Sequence, residues 1–266
     1  MSWRVGLWFS VIALALSGCG EKPGAEAVDE SAPAPSAVSD SENVTEAPEP
    51  IAEETPEIRS GDPADDDVEF IYRLGLIRGH LLSFIELYRA EAYETAAAHV
   101  QHPGSELYDA LVPAFEARAS DGFAGGLNAL ADASAERGDV NALYADLVVA
   151  IRATAPKTSV AVKLLAISKM VATAAEEFEA GVAEDGAITD AHEYQDAFGF
   201  LSVAREMLAS ENSSDINEAE AIAVAHEQLD LSINAFAGLL AEATEGQAET
   251  IYAAAAQIER AALRLQ

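Results

Sequence analysis

The stretch Phe70 to Pro103, FIYRLGLIRGHLLSFIELYRAEAYETAAAHVQHP, constrains the fold more than any other. Laid on a helix, its first half is apolar on nearly every side, interrupted only by Arg73, Arg78, His80, Ser83 and Glu86. Such a helix has to be surrounded by others. The second half, from Ala92, is Ala-rich and follows a break at Arg89-Ala90-Glu91, so the two halves are predicted to fold back as an antiparallel pair. His80 and His99 lie at nearly equal distances from Ala90, which at the helical rise puts both about 14 Å from the turn. His102 follows His99 by one turn, directly before Pro103, where the helix must end.

The remainder of the folded part, residues 63–266, is rich in Ala, Leu, Glu and Ile and poor in β-branched runs, a composition that favours helix throughout. Caps and breakers mark the elements. Asp62-Pro63 reads as the opening of helix one, and Pro113 as a kink in a short third helix. Gly138 and Asp139 separate two helices, and Pro156 to Ser159 forms a break. Val160 to Ala183 reads as one long helix, Thr189 as the cap of the next, Asp215 as the cap of a helix to about Ala243, and Gln247 to Leu265 as the last. The expected fold is all-α, an up-and-down antiparallel bundle of eight or nine helices. Leu87-Tyr88 with Ala92-Tyr93-Glu94 resembles the turn of a tetratricopeptide helix pair, but nothing comparable recurs one period later.

Only five histidines are present, and each falls on an expected helix. Imidazole is the commonest protein ligand for transition metals, and carboxylates complete or orient such sites. The first candidate site is therefore His80, His99 and His102 with Glu86 or Glu94, a set suited to iron, copper, zinc or haem. The competing explanation is packing: a core histidine at His80, and at His99 and His102 a pair favoured by a helix C-terminus. A second candidate is the pattern H-E-x-x-D, which occurs twice, as His192 to Asp196 and as His226 to Asp230. In each, His and Asp stand four apart on one helical face.

Neither H-E-x-x-H nor E-x-x-H occurs, so the zincin and ferritin-like signatures are missing. Gly-x-Ser-x-Gly and phosphate-cradling glycine loops are missing as well. The chain is accordingly expected not to be an enzyme, with a metallohydrolase the weakest of the readings. Gly79-His80 and the later Glu86 resemble the motif of imelysin-like periplasmic helical proteins, an iron-related family. The chain departs from that family's G-x-H-x-x-E, because Gly79 adjoins His80 and Ser83 stands where the Glu belongs.

The amino terminus supplies location. Arg4 followed by the apolar run Leu7 to Leu16 is too short to span a bilayer and reads as an export signal over residues 1–18. Its end, Leu16-Ser17-Gly18-Cys19, resembles the lipobox of bacterial lipoproteins, with the small residues directly before the only cysteine of the chain. The resemblance implies lipidation of Cys19 and, with Gly20 after it, sorting to the outer membrane facing the periplasm. Residues 19–62 are acidic and Pro/Ala/Ser-rich, the composition of a disordered tether. A net charge of −31 speaks against nucleic acid and anionic lipid surfaces as partners and leaves metal ions or a basic protein face. The expected function is a lipid-anchored, ligand-binding helical protein. The alternative is a structural or protein-interaction module whose histidines serve only packing.

Overall fold

The computed structural model describes residues 61–102 and 107–266, the side chain of His102 excepted. Within them the chain forms nine α-helices: α1 (Asp67–Arg89), α2 (Tyr93–His102), α3 (Tyr108–Ala117), α4 (Ala124–Ala135), α5 (Asn141–Thr154), α6 (Val160–Gly181), α7 (Ala191–Leu208), α8 (Ile216–Ile233) and α9 (Ala248–Leu263). The only extended pairings among the described residues are two isolated bridges, Val182 with Ile188 and Ala187 with Ala243. No helix of the described residues is long and apolar enough to cross a membrane. Cys19, the export signal and the acidic segment up to residue 60 lie outside the described residues.

As the apolar run of the sequence requires, α1 is enclosed. It starts where the Asp66 side chain accepts the N–H groups of Val68 and Glu69. Asp62 and Pro63 open a tight turn ahead of the helix rather than the helix itself, with the Asp66 N–H returning to the Asp62 carbonyl at 2.8 Å. The stop is local too: Glu91 takes the left-handed φ of 62°, and the Ala92 N–H returns to the Leu87 carbonyl. Phe70, Leu74, Ile77, Leu81 and Phe84 build one core with α2 to α5, and Leu76 on the other side joins a second core made by α6 to α9. In that second unit α6 packs on α7 and α9, and α8 on α7 and α9, which closes a four-helix ring. The first helix is thus the shared wall of two cores.

Two departures from the sequence reading matter for the site. Asp190, not Thr189, caps α7, its carboxylate accepting the His192 N–H at 3.0 Å. And α8 ends at Ile233, ten residues before the expected stop near Ala243. Residues 234–247 have good local helix propensity apart from Gly238 and Gly246, each of the others contributing only a few tenths of a kcal/mol. Against that, the Tyr194 hydroxyl takes the Ala237 N–H at 3.0 Å, Ile188 N–H reaches the Glu242 carbonyl at 2.9 Å and Thr244 N–H the Gly186 carbonyl at 2.8 Å. The Phe236 ring settles against Phe178, Tyr194 and Phe198. Hydrogen bonds at about 1 kcal/mol each and a large ring at about 2 outweigh the propensity.

The crossing of α1 over α7 is unusually close because glycine faces glycine. A methyl placed on Gly199 would run into the Gly79 carbonyl oxygen and the Ser83 hydroxyl, and one on Gly79 into Phe200. Ser83 Oγ meanwhile donates to the Gln195 carbonyl at 2.6 Å. Gly199→Ala gains about 1 kcal/mol of helix propensity, but the methyl would meet backbone that has no room to yield. Overpacking of this kind costs about 1 to 3 kcal/mol and more against backbone. The variant is expected to be less stable by about 2 kcal/mol, read as a lower midpoint in urea unfolding.

Candidate metal centre

The close crossing brings Asp196 of α7 up to His80 of α1, and the α1–α2 hairpin swings His99 to the same depth. Asp196 Oδ1 lies 2.7 Å from His80 Nδ1 and 2.8 Å from His99 Nδ1. One ligand atom from each of the three lies within 4.8 Å of the others. All are buried, at 5 %, 0 % and 2 % exposure for His80, His99 and Asp196. His192, one turn before Asp196, places Nε2 at 3.2 Å from the other carboxylate oxygen, and its ring stacks on His99 with centroids 4.4 Å apart. The His192 side chain is 29 % exposed, so it links the sealed floor of the cluster to solvent.

Gln195 fixes how His99 presents itself. The amide nitrogen of Gln195 donates to the Leu239 carbonyl at 2.9 Å, in the irregular segment that follows α8. Its Oε1 therefore faces His99 Nε2, at 2.9 Å, and that nitrogen must be the one carrying hydrogen. With a proton on Nδ1 as well, the ring donates to Asp196; without it, Nδ1 offers a lone pair to the same point. Phe200 meets the His80 ring edge-on at 5.0 Å and holds its plane. An outer-shell amide orienting an inner imidazole is the arrangement that metal-binding histidines need.

The electrostatics are set by burial and by the crowd of like charges. Burial pushes the Asp196 carboxyl up, but the hydrogen bonds from His80 and His99 and the charge of those rings outweigh it and hold the group below the usual carboxylate range. For His192 burial pushes the pKa down, and Asp196 opposes that only in part. Glu177 of α6 is raised to about 8, first by burial, then by its hydrogen bond to Glu193 and the charges of Glu193 and Asp196. These two glutamates are thus joined by a hydrogen bond, and Glu177 feels the charge of Asp196.

The residues singled out from sequence divide cleanly. His80 and His99 meet, and the pair they meet is the first H-E-x-x-D, so two candidate sites merge into one. The His102 side chain lies outside the described residues. Glu86 stays on the surface in the last turn of α1, paired with Arg89 at 3.0 Å, and Glu94 is likewise exposed. His226 is half-buried on α8, while Asp230 is exposed and takes Arg205 Nε at 2.8 Å; neither joins the cluster. Gln195, Glu177 and Glu193 were not among the candidates. Gln195 and Glu193 stand inside the H-E-x-x-D pattern itself, whereas Glu177 carries no signal in the sequence.

The fold and the cluster together define an all-α protein with a histidine–carboxylate centre between a four-helix ring and a preceding hairpin. Residues 155–264, which contain α6 to α9, match the family model described as the iron permease-associated 4-helix bundle domain. The match covers less than half of the chain. It includes His192, Gln195 and Asp196 but begins after Gly79, His80 and Glu86, so the imelysin-like pattern has no counterpart in it. No curated protein and no solved structure matches.

A raised carboxyl binds its proton in the folded chain at pH values where the unfolded chain has released it, so stability falls as pH climbs from the ordinary glutamate range to about 8 at Glu177. Glu177→Gln removes that liability. Its thermal midpoint is expected to equal that of the parent near pH 4 and to exceed it by a margin that widens up to about pH 8 and then levels off, as thermal melts across the range would measure.

Proposed function

We propose that this chain is a non-enzymatic metal-binding protein, with a divalent transition-metal ion as its cargo and iron as the first candidate. The observation that carries the reading is the convergence of the His80 and His99 imidazoles with the Asp196 carboxylate, with His192 at the solvent side. Two imidazoles and a carboxylate, with no sulfur donor, suit iron(II), zinc and their neighbours in the series and discriminate against soft-metal sites. The family model matched by α6 to α9 is described by association with an iron permease, which favours iron within that group. A bare ion suits the cluster better than haem, because both imidazoles already lie within hydrogen-bond reach of one carboxylate oxygen and leave no slot for a macrocycle. Turnover would need a coordination position open to water and substrate. The burial of three donors supports storage or transfer instead.

The ion would be held by His80, His99 and Asp196, reached past His192, Glu193 and Glu177. Gln195 keeps the His99 Nε2 protonated so that Nδ1 faces the ion's position. The acidic surroundings of Glu177, Glu193 and the chain as a whole attract cations and repel competing anions. The same reading places the protein in the bacterial envelope. Cys19 carries the lipid, residues 20–62 are the leash, and the folded part faces the periplasm from the outer membrane, where a basic face of a protein partner would complement its charge. A second reading has one observation behind it: Asp196 is already satisfied by two imidazoles, so the cluster can serve as a polar clamp between α1, α2 and α7 in an interaction module that holds no ion.

Anaerobic titration of the purified chain with iron(II), followed by elemental analysis after gel filtration, separates the two. One ion per chain is expected, with at least a hundredfold loss of affinity in His80→Ala and in Asp196→Asn and about a tenfold loss in Gln195→Leu. No retained metal in any form, or equal retention in all of them, would leave the clamp. Cys19→Ser is expected to move the protein from the membrane fraction to the soluble periplasmic fraction, checked by fractionation and acyl labelling.

A further inference from the structure

Away from the histidines, a cavity of about 630 Å³ opens between α1, α5, α6 and α7 and the loop at residues 155–158. Its volume falls in the range of about 300 to 1,000 Å³ typical of small-molecule sites. Its wall includes the apolar side chains of Ile71, Leu74, Ile151 and Met207. It also carries Arg78, Arg152, Lys157 and Lys163, four of only fifteen basic residues in a chain of net charge −31. Concentrating scarce positive charge on one concave surface is not what solubility requires of an acidic protein.

The charge there is incompletely answered. Arg78 and Arg152 each donate an NH2 group to the same oxygen, Glu206 Oε2, at 2.8 and 2.9 Å. Two guanidiniums therefore share one internal carboxylate, and Lys163 pairs with Glu211. Arg78 is 7 % exposed, yet its Nε has no hydrogen-bond partner. The hydroxyl of Thr158 is the only other buried side-chain polar atom without one among the described residues, and Thr158 lines this same cavity. Buried donors left unmade are costly and are uncommon in native proteins. That both belong to residues lining one cavity, beside an excess of guanidinium, marks the place of a missing acceptor.

We propose that this cavity binds a small organic carboxylate with an apolar body, its carboxylate taken by Arg78 and Arg152 and its body laid on Ile71, Leu74, Ile151 and Met207. Guanidinium suits a planar carboxylate because its donors are fixed in a fork. Glu206 acts as the internal substitute that holds the two guanidiniums when no ligand is present. None of the lining residues belongs to the histidine cluster, so the proposal stands apart from the metal reading. Arg78 lies two residues before His80, which turns the two side chains to opposite sides of α1.

Calorimetric titration of the full chain with 2-naphthoate, with the uncharged 2-naphthylmethanol and with inorganic phosphate tests it. Naphthoate is expected to bind and to raise the thermal midpoint, with the alcohol and phosphate at least tenfold weaker and the naphthoate affinity falling as salt rises. Arg152→Gln and Lys157→Gln, both at exposed positions, should each weaken naphthoate several-fold, and Arg78→Gln more than tenfold. Should Arg78→Gln fail to fold, Glu206→Gln decides: removing the competing carboxylate should tighten naphthoate several-fold, which a purely structural role for the two arginines would not produce. Equal binding of acid and alcohol, equal binding of phosphate and naphthoate, no binding at all, or unchanged affinity in Glu206→Gln would each overturn the proposal.

Discussion

A carboxylate removed from water has to be met by donors or it does not stay charged, and Asp196 is where this molecule meets that demand. Leaving such a group unpaired costs several kcal/mol, more than most single contacts contribute. Three imidazoles from three helices answer it, and two of them come from outside the four-helix ring that carries the acid. The geometry is possible only because Gly79 and Gly199 let α1 and α7 approach backbone to backbone. Small residues, a short interhelical distance and a shared polar cluster are one constraint seen at three levels.

The same helix that carries His80 also separates the two cores. Its apolar surface is used on both sides, by α2 to α5 and by α6 to α9, so neither core is complete without it. The polar cluster sits within that wall, which explains how a charged group survives between two hydrophobic regions. It also ties the irregular segment after α8 to the centre, since Leu239 contributes a carbonyl to Gln195, and Gln195 in turn holds His99. A loop that local propensity would make helical becomes part of the cluster's support.

Much of this was legible in residue order, and what was not has a physical cause. The enclosure of α1 followed from its lack of a polar face, the hairpin from Arg89-Ala90-Glu91, and the equal depth of His80 and His99 from helical rise alone. Facing could not be read, because the pitch of α1 against α7 depends on which glycines touch. For that reason residue order leaves His192 and Asp196 as a separate site and groups Glu86 with His80 by nearness, although Glu86 is exposed and pairs with Arg89. The end of α8 comes earlier than residue order suggests, because tertiary capture of Phe236, Ala237 and Glu242 overrides local helix propensity. Glu177 was hidden for the opposite reason: an acid beside another acid on an amphipathic helix reads as solvated surface until α7 is laid over it.

The histidines that complete the cluster lie far from its acid along the chain, 116 residues for His80 and 97 for His99. The segment matching the iron permease-associated domain carries the acid and one imidazole, and the other two arrive from a hairpin that precedes it. On the proposed metal-binding reading, grip on an ion would be a property of the finished molecule, distributed over both halves and absent from either half alone. On that reading a chain still being threaded or refolding would pass metal by, and capture would begin only when the two halves close on each other, so that occupancy would record completed assembly.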